Sequence, residues 1–286
     1  MKTNLIGISG KISSGKDTVG KMLQYLKCSP PSVDEISHMM KFITDDKYKS
    51  NLDIASNYEI KKYAGKLKDI ACLLIGCTRE QLEDRDFKEK ELGEEWSRTV
   101  WYIQSNHNRL DTYNSKEEAE SDLSHYDENY NQEVYIDSEE IVMTPRLMLQ
   151  LLGTEAGRQI IHPNVWVNAL FADYDKYLEF CIQNELSKLK DKSMMGGFSH
   201  NRSSFEIPNW IITDVRFPNE VQAIKDRGGI VIRVNRLDVD KFTTNFPQTL
   251  HPSETALDDC NDFDYVIEND GSIEDLIDKV KQLNLV

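Results

Sequence analysis

The chain is short of positive charge and of cysteine, it has no long apolar run, and each shortage excludes a class of function. Its 34 Lys and Arg face 49 Asp and Glu, a formal charge of -15 over 286 residues. A surface that coats nucleic acid needs clustered cations in excess, so that role is excluded, and any anionic substrate must be met locally by a few arginines. The five cysteines, Cys28, Cys72, Cys77, Cys181 and Cys260, show neither CxxC spacing nor a neighbouring histidine pattern. They read as reduced thiols rather than zinc ligands or disulfides, and no metal is assigned to the protein itself. No apolar stretch nears the roughly 18 residues that a membrane span requires. The N-terminus runs straight into a strand-like segment, and a cytoplasmic location is expected.

What is present begins at Leu5-Ile6-Gly7-Ile8-Ser9-Gly10-Lys11-Ile12-Ser13-Ser14-Gly15-Lys16-Asp17-Thr18. An apolar strand feeds a glycine-punctuated turn with a lysine at its end, and the helical stripe Val19, Met22, Leu23, Leu26 follows. This is the layout of a nucleotide phosphate cradle. Gly10 and Gly15 let the backbone curl so that N–H groups converge on phosphate oxygens, with Ser13 and Ser14 between them and the dipole of the following helix behind. Lys16 reaches the β and γ phosphates. The strict pattern wants Ser or Thr directly after that lysine, whereas Asp17 stands there and Thr18 one place later. The Gly-Lys-x-Thr ending resembles adenylate kinase and related nucleotide kinases, in which magnesium is held largely through water and substrate phosphates, here near Asp17 and Thr18.

Length and 39% apolar content suit one large α/β domain over 1–286. The first helix should end before Cys28-Ser29-Pro30-Pro31. A 3.6-residue stripe predicts a helix over 59–75, stopped at Gly76, with Lys62, Lys66 and Lys68 on its solvated face. Thr78 should cap a second short helix. Residues 94–143 are acidic and tyrosine-rich; Ser115-Lys116-Glu117-Glu118 resembles a capping box, and 99–103 with 133–136 suits a small β-ribbon. Residues 30–165 as a whole read as a largely helical insertion on the acceptor side. The segment 188–206 reads as a mobile connection, and 235–262, with Arg236, Lys241, His251, Ser253 and Glu254, as a possible lid over the nucleotide.

Two further clusters carry chemistry. Thr144-Pro145-Arg146 opens a helix, and Gly153-Thr154-Glu155-Ala156-Gly157-Arg158 reads as a glycine-bracketed turn. Arg146 and Arg158 are therefore candidates for an acceptor's phosphate, because guanidinium binds phosphate bidentately; an exposed ion pair is the alternative. Trp166 is a candidate wall for base stacking, with a core position as the alternative. The third cluster, Trp210-Ile211-Ile212-Thr213-Asp214-Val215-Arg216-Phe217-Pro218-Asn219-Glu220, is an apolar strand ending on an acid and an arginine. Ligands gather at such carboxyl ends. Asp214 would orient magnesium or the acceptor and Arg216 would clamp the transferring phosphoryl group, the alternatives being an ion pair between them or a turn-capping aspartate. Strands at 229–234 and 264–268 and a terminal helix capped by Ser272 complete an alternating pattern, which predicts a parallel sheet with helices on both faces. Asn269 lies after the last strand, where an adenine contact is possible.

The cradle, Leu152-Gly153-Thr154-Glu155 with Arg158, Thr213-Asp214-Val215-Arg216-Phe217-Pro218-Asn219-Glu220 and His251-Pro252-Ser253-Glu254 together resemble the bacteriophage deoxynucleoside monophosphate kinases, from residue 4 to about 280. That resemblance implies a P-loop kinase fold, three-layer α/β/α, and transfer of the γ-phosphoryl group of ATP to a deoxynucleoside 5′-monophosphate with magnesium. By motif position it implies Lys16, Asp17 and Thr18 at the donor phosphates, Arg158, Asp214, Arg216 and Glu220 in the acceptor and transfer region, and a site role for His251 and Glu254. Another small-molecule P-loop kinase, resembling dephospho-coenzyme A or phosphomevalonate kinase, and a non-catalytic nucleotide-binding protein stay open. A GTPase does not, since no Asn-Lys-x-Asp sequence is present. A homodimer is common among soluble enzymes of this size.

Overall fold

The structure is a computed structural model, and it describes residues 4–27, 35–44, 58–105, 108–127, 134–195, 208–236 and 252–285. His251 and most of the expected lid lie outside the described residues. The chain forms two compact units, residues 1–66 with 162–286, and residues 67–161.

In the first unit five strands form one sheet in the order β2-β6-β1-β7-β8. They are β1 (Leu5–Ser9), β2 (Glu59–Lys61), β6 (Trp210–Val215), β7 (Ile230–Asn235) and β8 (Tyr265–Glu268). Every pairing is parallel, with Leu5 opposite Trp210, Ile6 opposite Ile230, and Ile232 opposite Tyr265. The mainly parallel α/β fold expected from the sequence is thus the observed one. Strands of this kind need cover on both sides. On one face Ile6, Ile8, Ile211, Ile232, Val234 and Ile267 pack with Val19, Met22 and Leu23 of α1 (Lys16–Leu26), Met39 and Phe42 of α2 (Glu35–Thr44) and Leu276, Ile277 and Val280 of the terminal helix. On the other, Leu5, Ile212, Val215 and Val231 pack with Val167, Leu170, Phe171 and Tyr174 of the long helix Val165–Met195 and with Val221 and Ile224 of the helix Pro218–Lys225. Tyr174 and Trp210 meet edge to face, ring centroids 4.9 Å apart.

Two sequence expectations change here. Residues 59–61 are a strand rather than the first turn of a helix: Glu59 N–H donates to the Asn209 carbonyl at 2.9 Å, and α3 starts only at Ala64 and runs to Ile75. Tertiary pairing at the sheet edge overrides the helical period. The first part of 188–206 is not a connection, since helix Val165–Met195 continues through it; 196–207 lie outside the described residues.

The second unit begins at Leu67, whereas the insertion expected from the sequence began at residue 30; α2 instead contributes Met39 and Phe42 to the first unit's core. It holds the short helices α4 (Arg79–Glu83) and α5 (Arg85–Glu89) and an antiparallel sheet in the order β4-β3-β5: β3 (Arg98–Ser105), β4 (Asn108–Tyr113) and β5 (Val134–Ile141). Thr78 accepts from Gln81 N–H at 3.2 Å, and Ser115 from Glu118 N–H at 3.2 Å at the head of α6 (Lys116–Asp127), the caps read from the sequence. Helix α7 (Pro145–Gln150), capped by Thr144, runs directly into a π-helical stretch, Leu151–Ile161. The glycine-bracketed turn expected at 153–158 is therefore helical. Gly153 is where a side chain would crowd Leu67, whose Cδ2 lies 3.1 Å from an added Cβ, so glycine permits close packing here rather than a turn. The remaining described helices are α8 (Val165–Met195), α9 (Pro218–Lys225), α10 (Pro252–Thr255) and α11 (Ile273–Gln282).

Candidate functional site

The cradle forms where β1 ends and α1 begins, and its backbone explains its residues. Gly15, the residue before α1, sits at φ 98°, in the left-handed region, and a Cβ there would come 2.7 Å from Asn269 Nδ2. Ser13 adopts φ 63° without glycine's freedom, the local strain found at ligand clamps. A Cβ on Gly10 would meet Ser14 Oγ at 2.3 Å and the Val234 carbonyl at 2.7 Å. The loop is held from several sides: Ser14 N–H donates to the Lys11 carbonyl at 3.2 Å, Asn269 Nδ2 to the Ser14 carbonyl at 2.9 Å, and Arg236 Nη1 to the Ser13 carbonyl at 3.4 Å.

Three features fit the loop to an anionic ligand. The first turn of α1 has orphan N–H groups, as every helix does, and Gly15 supplies no side-chain cap for them. Ser14 Oγ is buried without a partner among the described residues. Lys16 is 6% exposed, its ammonium donating to the Lys11 carbonyl at 3.1 Å, and burial together with repulsion from Arg216 holds its pKa below the ordinary lysine value. A buried cation beside open N–H groups is a receptor for phosphate oxygens.

Asp17 turns toward β6. Its carboxylate accepts from Thr213 Oγ1 at 2.9 Å and pairs with Lys62 Nζ at 2.8 Å. Burial pushes this carboxyl up, but the Lys62 ammonium and the Thr213 hydroxyl outweigh it and keep the pKa below the usual carboxylate range. Thr18 is half-buried on the next residue of α1.

The cluster expected at the carboxyl end of β6 assembles there, and each member has protein partners. Asp214 accepts from the backbone N–H of Tyr63 at 2.8 Å and of Ala64 at 3.0 Å, so both its oxygens cap the first turn of α3. Burial raises its pKa in spite of those two bonds. Glu220, 1% exposed, accepts from Arg216 N–H at 2.7 Å and Phe217 N–H at 3.1 Å. With so little of its surface exposed, it holds the turn between β6 and α9. That turn aims Arg216, whose Nη1 donates to Ser253 Oγ at 3.2 Å and pairs with Glu254. The other Glu254 oxygen accepts from Ile12 N–H of the cradle at 2.8 Å.

Lys16, Asp17, Asp214, Arg216 and Glu254 thus come together in one unit. Asn269 joins them as a brace on Ser14. Trp166 is buried, at 7% exposed. Arg146 and Arg158 belong to the other unit, where Arg146 is exposed and paired with Glu89, and Arg158 is half-buried on the π-helical stretch, a geometry that recurs at functional sites.

Several residues went unnoticed in the sequence. Lys62, read as a solvated cation, pairs with Asp17. Lys11 Nζ lies 3.2 Å from Asp258, which also meets Arg233 Nη2 at 3.5 Å, while Arg233 Nη1 donates to Ser9 Oγ at 3.1 Å. Only Lys11, inside the cradle run, carried a signal that could have found it.

Among the described residues no helix is long and apolar enough to cross a membrane. Residues 4–280 match the deoxynucleotide monophosphate kinase family. The chain is 25% identical over 272 residues to the deoxynucleoside-5′-monophosphate kinase of Escherichia phage T5, covering 88% of this chain and 84% of that protein. It is 33% identical over 81 residues to a "Putative deoxynucleotide monophosphate kinase" of Acanthamoeba polyphaga mimivirus, covering 26% of this chain and 39% of that one.

Proposed function

The chain belongs to the deoxynucleotide monophosphate kinase family, and on that premise we propose that it moves the γ-phosphoryl group of ATP onto a deoxynucleoside 5′-monophosphate at the cradle between β1 and α1, giving a deoxynucleoside diphosphate and ADP. One observation carries the placement: a single carboxylate, Glu254, touches both the cradle, at Ile12 N–H, and the guanidinium of Arg216. Phosphoryl transfer asks little covalent chemistry of a protein and much alignment and charge neutralisation. Those two features are what this arrangement offers.

Lys16 and the uncapped N–H groups of α1 bind the donor phosphates. Arg216 reaches the equatorial oxygens as charge moves onto them, and its guanidinium stays protonated throughout. Thr213 and Lys62 hold Asp17 ionised beside the lysine. Magnesium bound with ATP would supply further neutralisation of phosphate charge, and Asp17 and Thr18 would be the oxygen-bearing side chains to hold it, directly or through water. Asp214 and Glu220 act as positioning residues: one fixes the start of α3, the other the turn that presents Arg216. Arg146 and Arg158 carry over as candidates for an acceptor's phosphate on their guanidinium chemistry alone. The product serves DNA precursor synthesis in a host cytoplasm.

A coupled ADP-release assay with ATP, magnesium and each deoxy- and ribonucleoside monophosphate tests this, with Lys16→Ala as the blank. Turnover on one or more deoxynucleotides, abolished in that variant, is expected. ATP binding with no turnover on any monophosphate would overturn the proposal.

A further inference from the structure

Resting on that reading, we propose that Glu254 is a positioning residue that couples the donor cradle to the transfer arginine, so that the two move as one element. It lies on α10, four residues long, and its carboxylate has two separate partners: one oxygen accepts from Ile12 N–H at 2.8 Å, the other pairs with Arg216 Nη1. Its neighbours reinforce both ends. Ser253 Oγ takes a second bond from Arg216 at 3.2 Å, and Asp258, in the turn after α10, pairs with Lys11 Nζ at 3.2 Å. Residues 253–258 therefore grip Lys11 and Ile12 with two carboxylates and Arg216 with a carboxylate and a hydroxyl.

The chemistry of the contact explains why a glutamate is needed. Both partners are donors, an amide N–H and a guanidinium N–H, so the side chain between them must accept on both oxygens at once. Glutamine accepts on one oxygen only and turns an NH2 toward the other donor. Aspartate is one methylene short of spanning the two. Arg216 is fixed at its backbone by Glu220, and among the described residues its guanidinium donates to Glu254 and Ser253 at the far end. The side chain is 29% exposed at Arg216 and 11% at Glu254, so the contact is sheltered from water without being sealed.

The test uses the full chain and three variants, Glu254→Gln, Arg216→Ala and the two combined. With ATP and monophosphate saturating, Glu254→Gln should lower kcat about a hundredfold, the loss that follows when a reacting group is misplaced by about an ångström. KM for ATP should stay within about threefold, the mark of an interaction felt in the transition state. On the Arg216→Ala background the same substitution should cost less than about twofold, because its partner is already gone. In hydrogen exchange read by mass spectrometry, the peptide containing Ile12 should exchange faster in Glu254→Gln, which weakens the direct bond, and also in Arg216→Ala, which frees the far end of Glu254. Losses that add in the double variant overturn the proposal, as does a folded Glu254→Gln with wild-type kcat and wild-type exchange. Should Glu254→Gln fail to fold, Glu254→Asp is read the same way. Should the wild-type protein phosphorylate no monophosphate, the parent reading fails, and the exchange measurement decides the coupling by itself: faster exchange at Ile12 in Arg216→Ala supports it and unchanged exchange in that variant overturns it.

Discussion

Replacing Arg216 by alanine separates catalysis from stability more sharply than any other single change here. The substitution removes a guanidinium that makes two contacts, with Ser253 and Glu254, and leaves untouched the backbone N–H that donates to Glu220. The turn into α9 therefore survives. A partly exposed ion pair contributes at most about 1 kcal/mol, and Glu254 keeps its bond to Ile12, so it is not stranded. A loss of that size lowers Tm by about 2–4 °C in a chain of this class. Loss of one charge-stabilising group in a transition state costs about 3 kcal/mol, which is about two decades in rate. The prediction is a kcat down about a hundredfold with melting displaced by only a few degrees, read by coupled ADP release and differential scanning calorimetry on the same preparation. A folded Arg216→Ala protein with most of its activity would refute the role given to Arg216.

Lys16→Ala should abolish ATP binding in calorimetry while leaving far-UV circular dichroism unchanged; retained micromolar binding would remove the lysine from the cradle. Because burial and Arg216 depress the Lys16 pKa and bound phosphate raises it again, ATP binding should take up protons in the pH interval between the two values, and affinity should fall as pH rises through the lower one. Calorimetry in buffers of different ionisation heat reads this directly, and no buffer dependence at alkaline pH would contradict it. Asp214→Ala strips the cap from α3 and should cost about 1–2 kcal/mol of stability, with a lower denaturant midpoint as the readout; an unchanged midpoint would return Asp214 to a purely catalytic role. Asp214 has a folded pKa above its unfolded value, so its contribution to stability is full below about pH 4 and declines as pH rises through the folded value, a trend absent in Asp214→Asn. Gly15→Ala, at φ 98° and against Asn269, should destabilise the protein by at least about 1 kcal/mol; a neutral effect on the denaturant midpoint would show that the cradle has another backbone.

The strand–cradle–helix unit was legible because three local signals agree there: an apolar run, glycines at the two crowded positions and a helical stripe. The parallel sheet followed from alternation, and the caps at Thr78, Ser115 and Ser272 from single residues. Other features were not local. Strand β2 takes its conformation from Asn209 and β6, some 150 residues on, so its sequence alone read as helix. Gly153 signalled close packing against Leu67 and not a turn, a distinction that needs the neighbour. Motif position put Asp214 and Arg216 at the carboxyl end of β6 and Glu220 in the helix after it, but whether a carboxylate faces a ligand or a backbone N–H depends on partners at Tyr63, Ala64 and Phe217 that spacing does not reveal. The same holds for Lys62, whose partner Asp17 lies 45 positions away by residue number.

The proposed reaction carries the terminal phosphoryl group of ATP to a deoxynucleoside monophosphate. Incubation with ATP labelled at the γ phosphate, magnesium and each deoxynucleoside monophosphate in turn, followed by chromatographic separation, tests it most directly. Label should appear in a deoxynucleoside diphosphate, with none formed by Lys16→Ala; label confined to ATP or released only as inorganic phosphate would refute the transfer.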